Sequence, residues 1–229
     1  VNIILCFGDS LVFGEHDVEK GGWVDRLKVD AFKSYLSNKS ELSSKNGEAD
    51  NRSQTYLPTR TYNLGIAGET TDGLVARLES ELTARFVRGQ RHHVILAYGL
   101  NDIVIHKNKN RVPLEIFVRH MQRAIDVIKE KSCEPLLMTM PIIPDEMSGQ
   151  VNCHGQIRQQ EDSVIFNQAL LELTESNQVQ CIDVSSFLGR EEQKDGSIWA
   201  ADGVHLTAEA HRFIYKGIRA AFSDWFDNH

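Results

Sequence analysis

Five residues spread through a 229-residue chain carry the groups that acyl transfer needs. That chemistry takes a nucleophile, a base, a group that orients the base, and donors for the oxyanion that forms. Ser10 ends the run Ile3-Ile4-Leu5-Cys6-Phe7-Gly8-Asp9-Ser10, in which apolar residues stop at a glycine and an acid. Such a run reads as a buried strand feeding a turn, and a hydroxyl there is placed to attack. His205 can take its proton, and Asp202, three residues earlier, can accept from the other ring nitrogen. Asn101, in Gly99-Leu100-Asn101-Asp102, brings a side-chain amide to another strand end. Gly68, in Ala67-Gly68-Glu69-Thr70-Thr71, brings a backbone N–H with no side chain in the way. The Ser10 N–H would be a third oxyanion donor. Singly, each has an ordinary reading as a turn residue, cap or surface histidine. As a set they divide one reaction among them.

For the set to meet, strand ends from across the chain must lie side by side. Apolar runs and helical stripes predict strands over 2–8, 62–66, 93–98, 135–140 and 179–184. Between and after them the periodicity predicts helices over 23–36, from Thr70 or Thr71 to 87, and over 113–131, 162–176 and 207–226. The 23–36 helix buries Trp23, Leu27 and Ala31; the next sets Leu74, Leu78, Leu82 and Phe86 four residues apart. Strand and helix alternating five times argue for a parallel sheet covered on both faces. Five strands fit a three-layer α/β/α domain of flavodoxin-like order better than a barrel of eight. Open sheets of this kind gather their reacting groups at the carboxyl ends of the strands. The expectation is one domain over 1–229, with polar insertions near 37–60 and 142–159 and a solvated basic loop over 106–111.

These stretches resemble, in order, the blocks of the SGNH hydrolases, also called GDSL esterases and lipases. The blocks are Phe7-Gly8-Asp9-Ser10-Leu11, Asn63-Leu64-Gly65-Ile66-Ala67-Gly68-Glu69-Thr70-Thr71, Tyr98-Gly99-Leu100-Asn101-Asp102 and Asp202-Gly203-Val204-His205. The resemblance implies an α/β/α fold and hydrolysis of an ester or thioester through an acyl-serine intermediate. It implies Ser10, Asp202 and His205 as the triad, an oxyanion hole from Ser10, Gly68 and Asn101, and no cofactor or metal. It also ranks Asp102 below Asp202 as the triad acid, with Asp102 shaping its turn and Asp9 bonding nearby backbone. Leu100 departs from the family by standing where a small residue, often Thr, is common.

Composition agrees with such an enzyme and narrows the alternatives. Hydrophobic residues make up 41% and charged residues 25%, ordinary for a chain that buries a core. A net charge of −7 makes a poor binder of nucleic acid or anionic membrane. No apolar run approaches the ~20 residues of a membrane span. There is no H-E-x-x-H and no compact Cys/His cluster along the sequence. His92-His93 begins a strand, the end opposite the candidate site, and reads as structural or solvated. Cys6, Cys133, Cys153 and Cys181 are scattered without disulfide spacing, which suits a cytoplasmic location; a removed leader stays open, since the sequence does not begin with Met.

The partner expected is a small-molecule ester, with short acyl or acetyl groups favoured and lysophospholipid or thioester as alternatives on the same site. Ile66, Leu100 and Ile103 could line an acyl pocket. A second class stays open: a non-catalytic module for a phosphorylated ligand on the same frame, although P-loop lysine and G-x-G-x-x-G are both missing. Oligomeric state is not readable from the sequence.

Overall fold

The computed structural model describes residues 2–45, 59–186, 188 and 198–226. Its central sheet contains β1 (Asn2–Gly8), β2 (Arg60–Gly65), β3 (Arg91–Ala97), β6 (Glu134–Met138) and β7 (Gln180–Ile182). All pairs are parallel, in the order β2-β1-β3-β6-β7. This is the flavodoxin-like arrangement the alternation predicts. Around the sheet lie α1 (Ser10–Phe13), α2 (Trp23–Lys45), α3 (Thr71–Arg85), α4 (Leu114–Glu130), α5 (Gln160–Asn177) and α6 (Ala208–Ala221).

All seven residues of β1 are buried, as expected of a central strand covered on both faces. Register then decides where chemistry can happen. Gly8 at the end of β1 pairs with Gly65 of β2 and with Ala97 of β3, so three strand ends finish at one height. The turns after them, at 9–10, 66–70 and 98–102, open on the same edge. The approach there is close: a Cβ on Gly65 would lie 2.2 Å from the Phe13 nitrogen and 2.7 Å from the Asp9 carbonyl oxygen. Only glycine lets the first turn of α1 sit on the end of β2.

The helical stripes meet the sheet as the sequence implies. Trp23, Leu27, Leu74, Leu78, Leu82, Phe117, Met121 and Ile125 are all buried. Phe86 leaves its stripe: it caps α3 and is 45% exposed. The polar stretch expected as an insertion over 37–60 divides. Its first part continues α2 to Lys45, since neither Gly nor Pro interrupts the chain before Gly47; residues 46–58 lie outside the described residues. The basic loop near 106–111 folds into a small hairpin, β4 (Ile105–His106) with β5 (Lys109–Asn110). Lys107 and Asn108 both take positive φ, 49° and 60°, which is the two-residue turn suited to twisted strands. The helix expected to reach 226 ends at Ala221, and a 3-10 turn over Ser223–Trp225 returns Trp225 to the core.

Candidate active site

Ser10 opens the four-residue helix α1 directly after β1. Asp9 caps that helix: its Oδ1 accepts the Leu11 N–H at 2.9 Å, and Gly14, left-handed at φ 95°, stops it. The turn holds the Ser10 side chain inside the fold, where the residue is 5% exposed. Its Oγ lies 3.0 Å from His205 Nε2. On the other side of the imidazole, Nδ1 lies 2.5 Å from Asp202 Oδ2.

Local hydrogen bonds explain why the 202–205 segment presents its side chains this way. Asp202 Oδ1 accepts the N–H groups of Val204 and His205, both at 3.0 Å, which leaves Oδ2 for the ring. Behind it, Ala200 N–H donates to the His205 carbonyl at 2.8 Å, and Trp199 bridges to Leu206. Thr207 caps α6 by accepting from Ala210 N–H. Burial would raise the Asp202 pKa, but bonds from the His205 N–H, the His205 ring and the Val204 N–H outweigh it and hold the carboxyl well below the usual range. Asp202 is therefore an anion beside the ring at any physiological pH.

Asp102 bonds a different segment. Its Oδ1 accepts from the Thr71 N–H at 3.0 Å and the Thr71 hydroxyl at 2.5 Å, which ties the β3 turn to the start of α3. Burial pushes it up to about 6 despite those bonds.

The two outer oxyanion candidates are positioned by different means. Asn101 is 5% exposed, and its Nδ2 donates to Asp9 Oδ2 at 3.1 Å, so the residue before Ser10 aims the amide. Its Oδ1 faces Arg158, whose Nη2 is 3.4 Å away. Donors on one side and an acceptor on the other leave one orientation of the amide. Gly68 takes φ 74°, and nothing lies within 4 Å of where a Cβ would stand. Its turn hangs from β1 through Ile66 N–H to the Gly8 carbonyl, 3.0 Å. The neighbouring Glu69 is clamped by Arg77 Nε at 2.8 Å, Arg77 Nη2 at 2.6 Å and the Tyr98 hydroxyl at 2.6 Å. Arg77 Nη2 also donates to the Leu64 carbonyl at 2.6 Å.

Several residues near the site were missed by sequence reasoning. Arg158 sits in the long 142–159 loop yet is only 5% exposed; its Nε donates to the Leu100 carbonyl at 2.8 Å. Burial lowers its pKa to about 10, with Asp9 opposing. An arginine in a polar loop carries no periodic signal, so only the fold exposes its role. Glu15 Oε2 lies 2.8 Å from His205 Nε2, on the same nitrogen that faces Ser10. His16 stacks on the His205 ring at 4.8 Å and 12°. Of the residues offered for an acyl pocket, Leu100 and Ile103 are core, and Ile66 is corrected to a surface position, 47% exposed. A cavity of about 260 Å³ beside Asp202 has a mixed lining, polar at Glu146, Gln150, Asn152 and Arg158 and apolar at Ile143, Met147 and Val151. A void of about 30 Å³ under the Ser10 turn is walled mainly by apolar side chains such as Leu11, Trp23 and Leu100.

The comparisons with known proteins agree with this frame. The model of the GDSL-like lipase/acylhydrolase family matches residues 6–213, and the chain belongs to that family. It is accordingly a carboxylic ester hydrolase. No curated protein sequence matches it significantly. Among solved structures it is similar to a lipolytic G-D-S-L family protein from Veillonella parvula at TM-score 0.68 and 19% identity, covering 97% of this chain and 99% of that one. It is similar to the acetylxylan esterase Axe2 from Geobacillus stearothermophilus at TM-score 0.68 and 16% identity, over 99% and 97% of the two chains. It also matches the esterase EstA of a Pseudoalteromonas species, in a structure inhibited by monoethylphosphonate, at TM-score 0.63 and 17% identity over the whole of both chains. At these identities the likeness to solved structures is one of fold. Among the described residues no helix is long and apolar enough to cross a membrane.

Proposed function

We propose that the chain hydrolyses esters of short acyl groups, acetyl first, through an acyl-serine intermediate on Ser10, as one hydrolase domain. The observation that carries this reading is the unbroken line Ser10 Oγ–His205 Nε2–His205 Nδ1–Asp202 Oδ2, at 3.0 and 2.5 Å. Ser10 Oγ attacks the ester carbonyl while His205 Nε2 takes its proton. Asp202 stabilises the imidazolium. The carbonyl oxygen becomes an oxyanion held by the N–H groups of Ser10 and Gly68 and by Asn101 Nδ2. His205 then gives the proton to the leaving alcohol as the C–O bond breaks. Water, activated by the same histidine, attacks the acyl-serine and returns the free serine and a carboxylic acid.

The preference for a small acyl group rests on shape. The void beneath the nucleophile's turn is about 30 Å³, room for little more than one water-sized group. The roomier cavity by Asp202 has a mixed lining, in which Glu146, Gln150, Asn152 and Arg158 offer hydrogen bonds to a hydroxylated alcohol. A fold shared with a protein described as an acetylxylan esterase fits the same preference. Four free cysteines are consistent with a reducing, cytoplasmic setting.

The test is a chain-length series of acyl esters with an acetylated sugar alongside, in the wild type and in Ser10→Ala. Acetyl esters should turn over fastest, and the variant should lose the activity. A serine-directed phosphonate should label Ser10. Full activity in Ser10→Ala would sink the assignment, and absent labelling would revive the ligand-binding module.

A further inference from the structure

We propose that Arg77 is a positioning residue for the oxyanion turn: through Glu69 it aims the Gly68 N–H, and it cancels a carboxylate charge that would otherwise oppose the oxyanion. The proposal rests on the reading of Ser10 as nucleophile and Gly68 as oxyanion donor. Glu69 follows Gly68 directly, and its side chain is 8% exposed. A buried carboxylate one residue from a developing negative charge would slow the reaction, because a low local dielectric strengthens the repulsion. Here that carboxylate is paired. Arg77 meets it with two nitrogens, Nε on Oε1 at 2.8 Å and Nη2 on Oε2 at 2.6 Å. Such a fork sets the direction of the carboxylate as well as offsetting its charge.

The clamp is anchored to all three strand ends that frame the site. Arg77 Nη2 donates to the Leu64 carbonyl of β2 at 2.6 Å. The guanidinium lies over the Phe7 ring of β1, 5.1 Å from its centroid. The Tyr98 hydroxyl, just past β3, donates to Glu69 Oε2 at 2.6 Å and accepts from Arg77 Nη2 at 3.1 Å. Burial would lower the Arg77 pKa, but the Glu69 bond and the nearby Tyr98 outweigh it and raise it. Burial, followed by the Glu69 bond, raises that of Tyr98, so the phenol stays a donor.

Spacing along the chain makes room for the pair. Glu69, Gly73 and Arg77 stand four residues apart, so they share one side of the entry into α3. A Cβ on Gly73 would lie 2.5 Å from Glu69 Oε1, so a larger residue would displace the carboxylate. Gly68 has no side chain of its own to hold it, and at φ 74° nothing stands within 4 Å of its Cβ position. Its direction is set by its neighbour. Glu69 is fixed at both ends, by its N–H on the Ile66 carbonyl at 3.1 Å and by Arg77 on its carboxylate.

Steady-state kinetics on an acetyl ester test the charge, and phosphonate labelling tests the place. Arg77→Gln should lower kcat about thirtyfold at nearly constant KM. Glu69→Gln, which removes the charge and keeps the shape, should lower it about threefold. The double variant should be about fivefold faster than Arg77→Gln alone, because no carboxylate is then left unpaired. Labelling of Ser10 by a serine-directed phosphonate should slow in step with kcat, since the phosphoryl oxygen takes the same donors. Tyr98→Phe keeps the ring and removes one bond to Glu69; it should lower kcat about threefold, and it decides the matter if Arg77→Gln does not fold. A double variant as slow as Arg77→Gln overturns the charge cancellation. Unchanged kcat in folded Arg77→Gln, or in Tyr98→Phe where only that variant folds, overturns the positioning, and so does a fall in kcat without slower labelling. Ester hydrolysis that survives Ser10→Ala overturns the nucleophile reading and the clamp with it, an outcome distinct from the other two.

Discussion

The two ends of the sheet hold the same kinds of residue and do different things with them. At the carboxyl end, His205 lies between Asp202 and Ser10, with His16 stacked on its ring. At the amino end, His93 lies 3.0 Å from Glu134 through Nδ1 and 3.3 Å from Asn2 Oδ1 through Nε2, with Trp225 stacked on it at 4.2 Å. A histidine, a carboxylate, a polar partner and a stacked ring occur at both ends. The difference is what each imidazole is shown. His205 faces a serine hydroxyl at the tip of a strand-to-helix turn, next to a cavity of mixed lining. The His93 side chain is 1% exposed and, among the described residues, faces Glu134, Asn2 and Trp225, which close the bottom of the fold. Its neighbour His92 is likewise structural: Nε2 accepts the Val87 N–H and Nδ1 meets the Gln90 carbonyl. A pairing of histidine with carboxylate does not by itself make a candidate catalytic site; what sets His205 apart is the Ser10 hydroxyl on Nε2, a nitrogen that Glu15 Oε2 also approaches at 2.8 Å.

Substitutions should separate the two ends, and the largest effect belongs to His205. His205→Ala should lower kcat by about ten-thousandfold while moving stability by about 1 kcal/mol or less, read by ester hydrolysis and urea unfolding. His93→Ala should do the reverse, costing about 2–4 kcal/mol by opening a hole beneath Trp225 and leaving kcat intact. A loss of turnover in His93→Ala at full folding would break the distinction. The asparagines make a second pair. Asn101→Ala should cost about a hundredfold to a thousandfold in kcat. Asn2→Ala should cost about 1–3 kcal/mol in stability instead, because Asn2 Nδ2 holds the Trp225 carbonyl. Arg158→Gln comes next: with the Asn101 amide less firmly held, kcat should fall about tenfold at nearly constant KM, and Arg158→Lys should recover little, since an ammonium cannot span both the Leu100 carbonyl and Asn101 Oδ1.

The sheet and the Asp202–His205 pair were legible in the sequence because both are written locally, whereas setting Ser10 against His205, 195 positions away, took the resemblance to the family blocks. Strand runs, four-residue stripes and the Asp-Gly-Val-His spacing each depend on neighbours in the chain. The rest of the site depends on residues that meet only in space. Arg158 reads as a solvated loop arginine until the loop is seen to press it against the Leu100 carbonyl. His16 and His154 are 138 positions apart, and only the fold lays both beside Asp202. Helix ends were the other loss. The lack of Gly and Pro before Gly47 permits α2 to run on to Lys45 but does not require it, because a polar helical turn and a polar loop have the same composition.

The smallest effect is the most direct contrast between the two ends, because it carries opposite signs. Asp9 beside the site is pushed up to about 7, chiefly by burial. The folded state therefore binds more protons than the unfolded state between pH 4 and pH 7. Asp9's contribution to stability is greatest at low pH and is lost as pH rises through 7. His93 is lowered to about 4, again chiefly by burial, against the pull of Glu134. There the folded state binds fewer protons, so the His93 contribution is present above about 6.5 and is lost as pH falls toward 4. Each slope amounts to at most about 1.4 kcal/mol per pH unit, and in the whole protein the two offset each other. Asp9→Asn should remove the falling limb, so its stability relative to the wild type climbs from pH 5 to pH 7. His93→Phe should remove the rising limb, and its relative stability should decline over the same range. Urea midpoints at half-unit pH steps read both. Parallel slopes in the two variants would mean that one network, rather than two separately buried ends of the sheet, sets the titration.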